Sequence, residues 1–184
     1  MPLKTLVKVG SLTNLSDARY CAGMNVQMLG FQVISGLPNY ITPVRFQEIR
    51  GWISGPAIVI ELHGAQNRTQ IDEAIEAYRP DYLEVGLAEL PLMSSLSLPL
   101  IVRVKHNDSL EQFGVDPAYA LVDGDDDRSF PMPRIVEVSS MDDAIKALDD
   151  HLMSGIALKG SEELSPGLKT YESLAPILEM LEED

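Results

Sequence analysis

Cysteine is almost missing from this chain. Cys21 stands alone, so no intramolecular disulfide is available to hold the fold together. Basic residues are scarce as well, 14 against 28 acidic ones, and the resulting formal charge of -14 excludes a broad basic surface tracking a phosphate backbone. Nucleic acid is therefore not an expected partner. Long apolar runs are absent too. The most apolar stretch, "LSLPLIVRV", contains a proline and an arginine and falls short of the roughly 18 residues a membrane helix needs. No membrane partner is expected. The opening "MPLKTLVKVG" lacks the apolar core and cleavage pattern of a secretory signal, so a cytoplasmic location is expected. What is present is enough for a core: 45% of the 184 residues are hydrophobic, suited to one ordinary domain spanning residues 1–184.

Short runs rich in Val, Ile and Leu recur along the chain: "TLVKV", "VQMLGFQV", "AIVIEL", "DYLEV", "LIVRV", "YALVD", "RIVEV" and "GIALKG". Stretches of helical spacing separate most of them, and this alternation predicts a parallel sheet; about eight units predict a closed (β/α)8 TIM barrel of the α/β class. The helices are well punctuated in places. "TPVRFQEIRG" has Thr42 as a cap, Pro43 at the first helical position and Gly51 beyond the end. "NRTQIDEAIEAYRP" offers Asn67 or Thr69 as a cap, a stripe of Ile71, Ala74, Ile75 and Tyr78, and Pro80 as a stop. "SMDDAIKALDDHL" and "TYESLAPILEMLEED" supply the last two, with Pro176 early enough in the second to be tolerated. Between "YALVD" and "RIVEV" only "GDDDRSFPMP" is available, a loop rather than a helix. The barrel is thus expected to be reduced, with outer helices shortened or missing. Apolar strand surface left bare by the thinning would favour a homodimer.

In such barrels chemistry gathers at the C-terminal ends of the strands. Those ends carry Gly10 and Ser11, Gln32, Glu61 and His63, Glu84, Arg103 and Lys105, Asp123, Glu137 and Lys159. Parallel strands covered on both faces should be nearly all apolar, so this density of charge is informative. Glu61, Glu84, Arg103, Glu137 and Lys159 are read as pairing with one another to close the top of the barrel. His63 has an unperturbed pKa suited to a general base, against the commoner reading of a hydrogen-bonded loop histidine. The acidic run Asp125, Asp126 and Asp127 lacks EF-hand spacing and reads as a solvated turn; no metal site is expected. Cys21 reads as a small packing residue.

These segments resemble the phosphoribosylanthranilate isomerase family. "VKVGSLTNLSDARYCAGMNVQMLGFQV" and "LPNYITP" are similar to the family's "KICGLTN", "DA", "AGAD", "LGF" and "SPRYVSP". "DYLEVGLAE", "LVD" and "GSEELSPGLKTYESLAPILEML" match "DVVQLHGDE", "LLD" and "SGVESSPGVKDLEKIRAFIEAV". The resemblance covers nearly the whole chain. It implies a (β/α)8 barrel, no cofactor, and an Amadori rearrangement of a phosphoribosyl aminoaldose to an aminoketose in tryptophan biosynthesis. The family's acid is the aspartate of "LLD", here Asp123. Its base is the cysteine of "KICG", and that position is Gly10, with Ser11 replacing the next glycine. Asn39 stands where the family's arginine engages the anthranilate end, and "GDDD" replaces the "GGTG" beside the phosphate. Gly160 and Ser161 still offer backbone N–H groups to an anion, and Lys159 a charge. Glu163, Pro166, Gly167 and Lys169 of the closing motif are retained and read as holding the last loop in place.

A glycine abstracts no proton, and an unassisted serine hydroxyl is a feeble base. Each general acid or base contributes roughly 10²–10⁴-fold. The expected function is accordingly an isomerase-like barrel degenerate for the Amadori reaction, binding a small metabolite, phosphorylated or not, or a protein partner. Two other readings stay open. One is an active isomerase whose base has moved to His63 or Glu61, with Asp123 as acid. The other is a different small-molecule enzyme using Glu84, Lys105, Asp123 and Lys159.

Overall fold

The computed structural model describes residues 2–108, 116–160, 163–165, 168–169 and 174–183. Eight parallel strands run in sequence order and close on themselves: β1 (Leu6–Gly10), β2 (Met28–Gln32), β3 (Ala57–Glu61), β4 (Tyr82–Gly86), β5 (Leu100–Val104), β6 (Tyr119–Asp123), β7 (Arg134–Glu137) and β8 (Met153–Lys159). Closure sets Leu6 opposite Gly155 and Gly10 opposite Lys159. The expected (β/α)8 barrel is present.

Strand periodicity then sorts the side chains. Val7, Val9, Leu29, Phe31, Ile58, Ile60, Leu83 and Val85 belong to the large outer core beneath the helices. Their neighbours Met28, Val59, Ile101, Leu121, Ile135 and Ala157 form a separate apolar cluster, joined by Leu6, Tyr82 and Tyr119. Two residues further along the same faces stand Lys8, Glu61, Glu84, Arg103, Asp123, Glu137 and Lys159. The barrel interior is therefore apolar below and charged above, and the charged layer is at the strand ends.

Four outer helices begin where a side chain satisfies a free backbone N–H. In α1 (Leu15–Gly23) Asn14 accepts from the Asp17 N–H, and in α2 (Pro43–Arg50) Thr42 accepts from Arg45. In α3 (Arg68–Tyr78) the cap is Asn67, not Thr69; Ser140 caps α4 (Met141–Leu148). The Tyr78 hydroxyl donates to the Ile41 carbonyl at 2.6 Å, and Phe46 of α2 stacks edge-on against Phe31 of β2 at 5.1 Å. These contacts fix α2 and α3 against the sheet. Pro176 falls in the first turn of α5 (Leu174–Leu181), where its missing N–H is no loss. Of the closing motif, Glu163 and Lys169 face each other across a two-stranded antiparallel pair, β9 (Glu163–Ser165) and β10 (Leu168–Lys169); Pro166 and Gly167 lie outside the described residues. No helix among the described residues is long and apolar enough to cross a membrane.

The thinning is real but it leaves no bare strand among the described residues. A 3-10 helix (Leu87–Met93) bridges β4 and β5, and the β6–β7 connection has no helix. The outward residues Val102, Val104, Ala120 and Val122 are nevertheless fully buried, with Phe130 and Met132 packed against the same core. The expectation of uncovered apolar strand surface awaiting a second subunit is therefore not met here. The covering loop is held by arginines. Arg134 donates to the carbonyls of Asp126 (2.7 Å) and Arg128 (3.0 Å) and pairs with Asp150. Arg128 grips the Asp126 carboxylate and the carbonyls of Lys105 and Asp108, and lies over the Phe130 ring. The acidic run thus divides: Asp125 and Asp127 are solvated as expected, whereas Asp126 is buried as the partner of Arg128, whose hydrogen bond pulls its carboxyl below the usual range.

Removing a buried guanidinium strands its acceptors, at a cost of about 3 kcal/mol. Arg134→Met is expected to lower stability by that amount in urea melts. Arg45→Met, breaking an exposed pair with Glu48, should change it by less than about 0.5 kcal/mol.

Candidate functional site

The upper layer converges on Lys8. Its side chain, 2% exposed, rises from the middle of β1 and places Nζ 2.6 Å from Glu84 Oε2 and 3.2 Å from Glu61 Oε1. A charge in the centre of an apolar strand is costly unless it is paired on all sides, and here the strand ends of β3 and β4 supply both partners. Burial opposes the Lys8 charge most strongly. Glu84 and Glu61 outweigh it, and the ammonium pKa ends above its ordinary value.

Around this pair the other charges link in a chain. His63 Nε2 lies 2.9 Å from Glu84 Oε1, and Arg103 Nη2 3.6 Å from the same oxygen. Arg103 Nη1 donates to Glu137, whose other oxygen is 3.5 Å from Lys159 Nζ. Burial would raise the Glu84 carboxyl, but Lys8, His63 and Arg103 reverse that and hold it well below the usual carboxylate range. Burial acts on Glu137 likewise, and the Arg103 hydrogen bond brings it down. Glu84, Arg103, Glu137 and Lys159 pair across the barrel top as expected, whereas Glu61 pairs with Lys8 instead.

The β1 terminus is shaped by the same contacts. Ser11 adopts a left-handed backbone, φ 54°, and in it both the backbone N–H (2.9 Å) and the hydroxyl (3.0 Å) donate to Glu61. A Cβ on Gly10 would stand 2.6 Å from Glu61 Oε1 and 2.8 Å from Lys8 Nζ. On Gly30, next to it across β1 and β2, a Cβ would meet the same two atoms at 2.4 and 3.0 Å. A side chain at either position would have to displace the ends of the Lys8 and Glu61 side chains. Glu89 pins the neighbouring loops, accepting from the N–H groups of Gly64 (2.9 Å) and Gly86 (3.0 Å) beside His63.

What remains open is a recess of about 110 Å³, lined by the charged ring with Gly10, Ser11 and Gln32. Pockets for metabolite-sized ligands run from roughly 300 Å³ upward. Of the residues singled out in the sequence, Gly10, Ser11, Glu61, His63 and Lys159 meet here. Asp123 does not line the recess: it has the inward parity of Leu121 but is exposed at the tip of β6, its carbonyl accepting from the Asp126 N–H. Asn39 is exposed in a left-handed turn between β2 and α2, and Lys105 is exposed beyond β5 with its N–H on Asp108. The Gly160 N–H donates to the Gly10 carbonyl at 2.8 Å and is not available to an anion; Ser161 lies outside the described residues. No group of His, Cys, Asp and Glu among the described residues is placed to hold a metal ion.

Lys8 is the member sequence reasoning missed. Its signal was present, a charge inside "LVKVG" two residues before Gly10 and so on the same face. Because the folded Glu84 carboxyl is depressed, its contribution is complete above the unfolded value near 4.5 and fades as pH falls through the folded value. Lys8 has the opposite sign: raised when folded, it stabilises fully below the ordinary lysine range and loses that effect at strongly alkaline pH. Glu84→Gln is expected to cost about 3 kcal/mol at neutral pH. It should also flatten the loss of stability between about pH 5 and pH 3, read from urea midpoints across that range.

No family model matches the sequence, and no curated protein does. Solved structures match along its length. Phosphoribosyl anthranilate isomerase from Thermus thermophilus superposes with a TM-score of 0.75 at 18% identity, covering 96% of this chain and 98% of its own. The isomerase in complex with reduced 1-(o-carboxyphenylamino)-1-deoxyribulose 5-phosphate gives 0.72 at 16% identity, over 95% and 97%. The isomerase from Thermococcus kodakaraensis gives 0.70 at 11%, over 98% and 100%. From end to end, then, this chain has the fold of the phosphoribosylanthranilate isomerases, on a sequence 11% to 18% identical to those compared.

Proposed function

We propose that this protein is an isomerase-like barrel that does not carry out the Amadori rearrangement and serves as a binding protein. One observation carries the reading. The volume into which a side chain at position 10 would project is occupied by the Glu61 carboxylate and the Lys8 ammonium. By the resemblance, that is where the proton-abstracting group belongs, so a base there would have to displace this ion pair.

The relocated-base reading meets obstacles at Glu61, at Asp123 and in the size of the recess. Glu61 does occupy the vacated space, but its charge is already engaged, Oε1 accepting from Lys8 and the Ser11 N–H and Oε2 from the Ser11 hydroxyl. His63 lines the recess with its Nε2 on Glu84, an arrangement that orients an imidazole and is no obstacle in itself. Asp123, the acid by position, stands apart from both. A phosphoribosyl aminoaldose is also too large for a recess of about 110 Å³.

Purified protein supplied with phosphoribosylanthranilate is expected to give no turnover above the uncatalysed rate. Gly10→Cys should not restore it, and should destabilise the barrel by about 2 kcal/mol through overpacking against Glu61. Turnover by the unaltered chain that falls at least about 100-fold in Glu61→Gln or His63→Ala would overturn the proposal in favour of a moved base.

A further inference from the structure

Between β6 and β7 an irregular strap, residues 124–133, takes the place of a helix and runs over the outward face of β6. That face is apolar. Ala120 and Val122 are fully buried, and Phe130 and Met132 of the strap pack against the same core. A helix here would satisfy its own backbone, but the strap does not. From Gly124 to Met132 a single backbone N–H, that of Asp126, reaches a backbone carbonyl among the described residues, Asp123 at 3.0 Å. Pro131 and Pro133 have no N–H to give.

Side chains close the strap instead. Arg134, beneath it, donates to the carbonyls of Asp126 and Arg128. Arg128 grips the Asp126 carboxylate through Nε (2.9 Å) and Nη2 (2.6 Å), and ties the strap to the chain just past β5 by donating to the carbonyls of Asp108 (2.7 Å) and Lys105 (2.8 Å). The Arg128 side chain is 30% exposed, so water can replace these contacts one by one. Closure also leaves a donor unmet. Arg134 Nε is buried without an acceptor among the described residues, and opening would hydrate it.

We infer that the strap is a cover that opens on its own, ahead of the barrel, with Arg128 as its latch. Segments with few backbone hydrogen bonds and solvent-reachable anchors open at a smaller free energy than the core. Lifting the strap breaks none of the parallel pairing of β6 with β7, from Ala120 opposite Arg134 to Asp123 opposite Glu137. What it uncovers is the apolar strand surface that a barrel without this helix would otherwise show. The latch therefore sets whether that surface is hidden or bared, whatever the barrel mouth binds.

Thiol labelling tests this. Cys21 on α1, fully buried, is the chain's sole thiol and reports opening elsewhere; Val122→Cys adds a second thiol beneath the strap. Alkylation of each by iodoacetamide is followed by peptide mass spectrometry from zero to about 2 M urea. Without denaturant the introduced thiol is expected to react at least about 10-fold faster than Cys21, at a rate nearly independent of urea until global unfolding takes over. In the same background Arg128→Met should raise that low-urea rate at least about 10-fold, and Asp126→Asn a few fold. Equal rates with the same urea dependence at both thiols would show that the strap opens only with the barrel and overturn the inference. So would a low-urea rate unchanged by Arg128→Met. Should Arg128→Met not fold, Asp126→Asn, which keeps the side chain's shape, decides in its place; Ala120→Cys replaces Val122→Cys on the same ground.

Discussion

A single buried ammonium organises this molecule. Lys8 stands where a barrel strand should carry an aliphatic residue, and it is tolerable there only because two carboxylates reach it from β3 and β4. Each of those carboxylates is itself nearly buried and needs further donors. Glu61 takes two from Ser11, which must adopt a left-handed backbone to provide them; Glu84 takes His63 and Arg103, and Arg103 in turn brings in Glu137 and Lys159. The ring at the barrel mouth follows from one charge seeking compensation outward to solvent. Nothing in that sequence of dependencies requires a substrate.

The same network sets what the mouth can do. A catalytic barrel needs a group with a free lone pair or proton facing an open cavity, whereas here each carboxylate is held by cations or hydroxyls and the opening is a few waters wide. Ion pairs of this kind are poor devices for stability compared with apolar packing, yet removing one member is costly because it strands the others. A barrel that has such a ring is therefore held to it. Substitutions that would reopen the mouth must change several residues together.

Much of the fold was legible. Alternation of apolar runs with capped helical segments gave the eight strands, and Thr42, Asn67 and Ser140 mark helix starts where the sequence places them. The loop in place of a helix between β6 and β7 was readable from its prolines, but its anchoring by Arg128 and Arg134 was not, because side chain to carbonyl bonds leave no periodic trace. At the site, strand ends were the right place to look and mutual pairing was the right expectation, Glu61 apart. Lys8 escaped notice because it lies inside a strand rather than at its end.

Gly10 shows most clearly how sequence and structure differ in what they can say about an absence. From the sequence, glycine at that position reads as a deletion: a reactive side chain is gone and an empty space is left in its place. In the barrel no such space exists. The contacts a Cβ would make, 2.6 Å to Glu61 and 2.8 Å to Lys8, show that a side chain at position 10 and the carboxylate as placed exclude one another, as at Gly30. Restoring a thiol would displace Glu61, displacing Glu61 would leave Lys8 with Glu84 alone, and Ser11 would lose the acceptor that justifies its strained backbone. Position 10 and the buried charge beside it are thus coupled, and a base there and the ion pair as placed cannot both be present.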